Sequence, residues 1–238
     1  MVTPLRRRYR RLRRNRLGAG LALTIGLSML AGMTDAIGFM MIGSYVSFMS
    51  GNTTDFAAAM IRGEFAHALL LGGILACFVA GNALGEIVGR RIGRTNGQIL
   101  WIVALLIPVP LVLPGPVWPI LAVVLAMGML NAAIEQVEGQ AFGITFVTGA
   151  LSRFGRGLGR RLTGDRDTTW TFQITPWVGM IAGAMVGAGA YRLIPQAGLL
   201  VPAGFSLVMA LAMLFIPMRW RARYTAPVAV RRSGPTRR

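Results

Sequence analysis

Residues 17–34 read LGAGLALTIGLSMLAGMT, a run without a single charge that ends at Asp35 and resumes as AIGFMMI up to Ile42. A helix needs about 20 mostly apolar residues to cross a hydrocarbon core about 30 Å thick, at 1.5 Å per residue. Outward from this run, 99–113 and 114–133 are equally free of charge. Across the 238 residues 54% are hydrophobic and only 14% charged, with a mean hydropathy of +0.59. Soluble domains carry roughly 25% charge. The deficit of charge decides the class, because a soluble exterior needs it and a lipid-facing one does not. The expected fold is an all-α membrane protein.

The net charge of +17 does not point to nucleic acid. Every basic residue is arginine, and the arginines cluster at the ends and between apolar runs rather than along one face interleaved with aromatics. Arginines flanking spans set topology and meet anionic lipid headgroups. The expected partners are therefore the bilayer and anionic headgroups at the cytoplasmic face, with no nucleic acid; a homo-oligomer is compatible with this. The N-terminal block from Arg6 to Arg16 resembles the charged end of a signal peptide. The apolar run after it is longer than a signal core and contains Asp35, so it reads as a retained first span.

Six segments have the length and apolarity of spans: 17–42, 67–88, 98–113, 117–134, 171–194 and 199–217. Pro114-Gly115-Pro116 breaks the long apolar stretch into a hairpin, since proline lacks an amide donor. With the N-terminus inside, the cytoplasmic connections hold Arg90, Arg91 and Arg94, then Arg153, Arg156, Arg160, Arg161 and Arg166, then Arg219, Arg221 and Arg223. The outer ones hold only Arg62 and Arg192. This bias is the positive-inside pattern, and it argues that 45–60 does not cross. Both termini are then cytoplasmic. The division is a basic tail 1–16, a three-span unit 17–113, a second unit 117–218 and a basic tail 219–238.

The two units resemble each other at an offset of about 96–98 residues. Gly32-Met33-Thr34-Asp35-Ala36 matches Gly128-Met129-Leu130-Asn131-Ala132, and Phe48-Met49-Ser50-Gly51 matches Phe146-Val147-Thr148-Gly149. Gly81, Gly85 and Gly89 match Gly179, Gly183 and Gly187. Three ordered matches favour duplication over chance recurrence of glycine. Each unit has an odd number of spans, so the second enters the membrane in the opposite sense. Inverted repeats of this kind, with short interrupted or re-entrant segments, are a transporter architecture whose site lies between the halves.

At these motifs the chain resembles the YoaK family, bacterial integral membrane proteins grouped as a domain of unknown function. The carrying residues are 32–39 (GMTDAIGF), 46–54 (VSFMSGNTT) and 146–151 (FVTGAL), followed by the basic 153–161 stretch; the likeness runs from Leu17 to Met218. The resemblance implies a multi-pass plasma-membrane protein without a settled substrate. Residues 134–139 (IEQVEG) depart from it by placing two acids at the end of span four.

Asp35 is the sharpest candidate for an ion or solute path. A carboxylate at depth costs several kcal/mol (about 2.5–3.5 on insertion scales) and needs a partner or a cavity. The structural alternative is a hydrogen bond to Asn131 or to a hydroxyl across the repeat interface. Glu135 and Glu138, three apart, would share a helical face and could hold a cation or a proton, or simply meet Arg153 or Arg156. Ser50, Gly51, Asn52 and Thr53, and in the second unit Thr148 and Gly149, could line a path where the backbone leaves the helix. Asn52 and Thr53 read equally well as turn and cap residues. The glycine ladders read as packing seams, Glu86 as an ion pair with its neighbouring arginines, and the five tryptophans mostly as interfacial anchors.

No catalytic set, cofactor or metal is expected. Cys77 and His67 are the only cysteine and histidine, no lysine is available for a phosphate loop, and paired membrane aspartates are absent. The expected function is a small-solute secondary transporter or exporter, coupled to protons or cations through Asp35. The rival is a non-transport assembly or regulatory module whose polar residues only knit helices together.

Overall fold

The computed structural model describes residues 4–93, 97–113, 115, 118–131, 136–137, 140–141 and 147–217. The first apolar run and the basic segment before it form one continuous helix, α1 (Pro4–Ile42). Arginine is a good helix former and proline is tolerated in a first turn, so the tail expected as a separate unit extends the span. At Gly43 the chain takes φ 69°, a left-handed value that glycine adopts without strain.

The short helix α2 (Met49–Arg62) follows. It ends at Gly63 (φ 74°), where the Glu64 N–H donates to the Ala59 carbonyl at 2.9 Å. The antiparallel α3 (Phe65–Val88) then begins and is extended by a π-helical turn over Gly89–Gly93. The Gly72 Cα hydrogens face the Phe56 ring, and the His67 Nε2 lies 2.8 Å from an Asp55 carboxylate oxygen, so α2 and α3 form a hairpin.

Helix α4 (Gln98–Leu106) starts at Gly97 and gives way to a 3-10 turn over Val109–Leu111. Pro108 and Pro110 explain why the helix expected through 113 stops early: each lacks the amide donor that would continue the helical hydrogen-bond ladder. Next come α5 (Ile120–Asn131), α6 (Val147–Leu162), a 3-10 segment over Thr169–Ile174 that leads into α7 (Thr175–Leu193), and α8 (Leu200–Phe215). Two-residue strands β1 (Gln136–Val137) and β2 (Gln140–Ala141) pair antiparallel. This is the one strand pairing among the described residues, in an otherwise helical chain.

Three stretches are long and apolar enough to cross a bilayer: Asn15–Ile42, Phe65–Arg91 and Thr169–Leu193. The apolar stretches Gln98–Leu111, Ile120–Asn131 and Leu200–Phe215 are shorter, about 18–24 Å at 1.5 Å per residue. All six coincide with the segments expected from sequence. Helices α2 and α6 were not anticipated as regular helices.

Helix α1 runs parallel to α7. Gly179, Gly183 and Gly187 sit against the carbonyls of Ile25, Met29 and Met33, and Gly32 against Met180 and Ala184, so closely that any Cβ would overlap backbone atoms. Helix α3 runs parallel to α5 in the same manner, with Gly81 against the Leu125 carbonyl and Gly128 against Phe78 and Asn82. The Cys77 thiol donates to the Leu121 carbonyl at 3.2 Å. Helices α4 and α8 are antiparallel, and the Ser206 hydroxyl donates to the Leu100 carbonyl at 2.9 Å. Helix α4 also packs on α5, and α8 on α1. In lipid, where apolar burial gives little net drive, such close approach supplies the dispersion contact that holds helices together. The Gly179, Gly183 and Gly187 ladder is a packing seam, as expected, and in the first ladder Gly81 makes the same close approach. Glu86 pairs with Arg90 at 2.6 Å near the end of α3.

Candidate functional site

Two turns before its end, α1 carries Asp35, and the chain after Gly43 folds back to meet it. The carboxylate accepts hydrogen bonds from the N–H groups of Val46 (2.9 Å) and Ser47 (2.7 Å), and from the Ser47 hydroxyl (2.6 Å). Asp35 is 4% exposed. A hydroxyl does satisfy it, as one reading of the sequence allowed, but that hydroxyl comes from the adjoining loop and not from across the molecule.

The loop is tied at its other end by Asn52. Its side-chain carbonyl accepts from the Tyr45 N–H (3.1 Å), and its amide donates to the Tyr45 carbonyl (2.6 Å). Tyr45 stacks on Phe39 with ring centroids 5.1 Å apart and meets Phe48 edge-on at 5.3 Å. Gly38 leaves room for Val46, and Gly51 leaves room for the Phe48 ring. The GMTDAIGF and VSFMSGNTT stretches are thus two halves of one lock. Thr53 and Thr54 donate to the carbonyls of Met49 and Ser50 within α2.

Two cavities flank this lock. One, of about 380 Å³, lies between α1, α6, α7 and the loop; Asp35, Phe39, Tyr45, Phe48, Thr148 and Trp177 form its chemically distinctive wall. The other, of about 430 Å³, lies between the loop and first turn of α2, α3, the end of α5 and the first turn of α6. Its polar lining is Ser47, Ser50, Asn82, Asn131 and Thr148, with Gly149 beside them and Phe48 and Phe78 as apolar wall. Phe48 and Thr148 belong to both cavities and form the septum between them.

Of the residues expected along a path, Asp35, Ser50, Asn131, Thr148 and Gly149 line a cavity. Gly51, Asn52 and Thr53 do not: Gly51 makes room for a ring, Asn52 fixes the turn at Tyr45, and Thr53 bonds back into its own helix. Glu135 and Glu138 lie outside the described residues. Reasoning from sequence missed Ser47 and Asn82. Asn82, whose amide donates to the Phe78 carbonyl at 2.9 Å, could have been found as an amide inside an apolar run. Trp177, read as an anchor, walls the smaller cavity.

At the α2–α3 turn, Arg62 forms a bidentate pair with Glu64 (2.8 Å for both bonds) and lies 3.5 Å from Asp55. The hydrogen bond with His67, and then Arg62, hold the Asp55 carboxyl below its usual range. Between α6 and the 3-10 segment, the Arg153 Nε donates to the buried Gln173 side chain at 2.8 Å. No cluster of three metal-ligating side chains occurs among the described residues.

Comparison with known proteins gives a consistent picture. Residues 23–212 match a family described as "Protein of unknown function (DUF1275)". The chain is 47% identical over 220 residues to "UPF0700 transmembrane protein RA0705" of Rhizobium meliloti (strain 1021), covering 92% of this chain and 97% of that one. No solved structure matches.

Proposed function

The chain belongs to the DUF1275 family, membrane proteins described only as of unknown function, and from that premise we propose that it is a small-solute secondary transporter or exporter. In this reading two inverted three-helix repeats give six crossings of a bacterial inner membrane, with both termini cytoplasmic and the arginines meeting anionic headgroups. The likeness to the YoaK family fits the same reading. No enzymatic step, cofactor or metal belongs to it.

The observation that carries the reading is that one exchange of helices relates both the packing and the cavities. Replace α1, α2, α3 and α4 by α5, α6, α7 and α8, and the reverse. The α1–α7 seam becomes α5–α3, the α2–α3 hairpin becomes α6–α7, the α4–α5 contact becomes α8–α1, and α4–α8 returns to itself. Gly183 stands to Met29 as Gly81 stands to Leu125, and Gly179 to Ile25 as Cys77 to Leu121. This register pairs Gly81 with Gly183, one helical turn beyond the Gly179 that the sequence match selects; glycine at every fourth position conceals the shift. Asp35, Ala184 and Thr148 in one cavity then correspond to Asn131, Asn82 and Ser50 in the other. Two equivalent chambers separated by a thin septum are what alternating access between inverted halves needs.

Gradient-driven solute flux into proteoliposomes tests the reading, with loss expected in Asp35→Asn and uncoupled leak in Phe48→Ala. Labelling of Ala184→Cys and Asn82→Cys, each lining one of the two cavities, in a Cys77→Ser background should come from opposite sides of the membrane. A reporter fused after Met218 that emerges in the periplasm would remove the odd span count per half, and the proposal with it.

The three local donors on Asp35 also favour a second reading, a non-transport assembly or regulatory module in which this carboxylate only pins the loop. That reading wins if Asp35→Asn lowers thermal stability but leaves flux intact.

A further inference from the structure

The two cavities differ in charge, and the difference defines a ligand. Among the described residues lining the α1–α6–α7 cavity, Asp35 is the one carboxylate, and no arginine or histidine stands with it. Four aromatic rings, Phe39, Tyr45, Phe48 and Trp177, share that wall. The other cavity offers serine, threonine and asparagine but no charged group among its described lining.

Both oxygens of Asp35 are already engaged by the three donors of Val46 and Ser47. An ionised carboxylate satisfies that pattern as a pure acceptor. Too little oxygen remains for a bare metal cation, which needs about six oxygen ligands or more. A cation wrapped in its own hydrocarbon has no such requirement, because ring faces hold it through their quadrupoles and a nearby negative charge sets the sign. The first turn of α6, at Val147 and Thr148, brings roughly half a positive charge to the same wall. With Asp35 ionised, its full charge exceeds that half charge and leaves the wall net negative. A volume of about 380 Å³ lies in the range of small-molecule sites.

We infer that the α1–α6–α7 cavity binds a monovalent organic cation with an apolar body, of the quaternary-ammonium or alkylamine class. This names the solute class of the transporter proposed above and rests on that reading for its physiological sense, although binding itself requires no translocation.

The test is equilibrium binding of radiolabelled benzyltrimethylammonium to the full chain in phosphatidylcholine nanodiscs. Neopentylbenzene, its neutral isostere, and benzenesulfonate serve as competitors. Saturable binding is expected, displaced by unlabelled cation but by neither competitor at tenfold higher concentration. Asp35→Asn should weaken it tenfold or more, and Trp177→Leu about threefold to thirtyfold. Absence of saturable binding, equal displacement by the neutral isostere, or unchanged affinity in both variants overturns the inference. If Asp35→Asn does not stay monodisperse, Trp177→Leu and Tyr45→Leu decide by the same readout. Asp35-dependent binding without flux in proteoliposomes sinks the transport reading and leaves the site. Flux of another solute without cation binding does the reverse.

Discussion

The α1–α7 and α3–α5 seams use the same geometry with different residues. On the first, three glycines of α7 meet successive carbonyls of α1. On the second, Gly81 meets one carbonyl of α5, while the position corresponding to Gly179 is Cys77, whose thiol bonds to the carbonyl instead of avoiding it. What both seams preserve is the close approach of two backbones, and a small residue is only one means to it. The short helices differ more. The Phe48 ring covers Gly51, whereas among the described residues the Cα hydrogens of Gly149 face only the tip of Arg153.

The largest effect should come from Gly183→Val. Its side chain would overlap the Met29 backbone, which cannot swing aside, and overpacking of this kind costs about 3 kcal/mol or more. Loss of monodisperse protein on size-exclusion chromatography measures it. Comparable loss in Gly81→Val would equate the seams; a mild result there would break the equivalence.

Asp35→Ala ranks next, because it strips three donors of their acceptor inside the protein. A cost of about 2–4 kcal/mol is expected, read as a drop in melting temperature. Asn131→Ala, at the matching place, should cost less.

Gly51→Ala should cost about 1–3 kcal/mol by displacing the Phe48 ring, and Phe48→Ala should cancel most of that loss in the double variant. Gly149→Ala should be near neutral. Equal effects at the two glycines would contradict the difference in their surroundings.

The smallest effect concerns pH. The Asp55 carboxyl is held below its usual range, so its contribution is complete above the ordinary carboxylate range and disappears as pH falls through the lowered value. The group is partly exposed, and screening limits the contribution to below about 1 kcal/mol. Melting temperature should fall on acidification in the parent protein and less steeply in Asp55→Asn.

The apolar segments were legible in sequence because hydropathy alone identifies them. Helices α2 and α6 were not, since their polar and basic residues mask the one face each buries, and Ser50–Asp55 reads as loop. The early stop of α4 was present in Pro108 and Pro110 but hidden inside an uncharged run. For the site, Asp35 stood out as a charge among apolar residues. Its partner at Ser47 did not, because only a chain that turns back after Gly43 brings a residue twelve positions on to the same depth. Asn82 escaped notice because it carries no charge and a search for charges within spans passes over an amide.

The basic end of α6 bears on how the chain is made. Arg153, Arg156, Arg160 and Arg161 follow directly on the turn that walls both cavities. At the point matching Arg153, α2 carries the acid Asp55. In the proposed orientation the later half therefore holds its own instruction about which leaflet to face, independent of the arginines at the front. If that orientation holds, a chain whose leading end hesitated at the translocon is expected to be righted by residues emerging more than a hundred positions later.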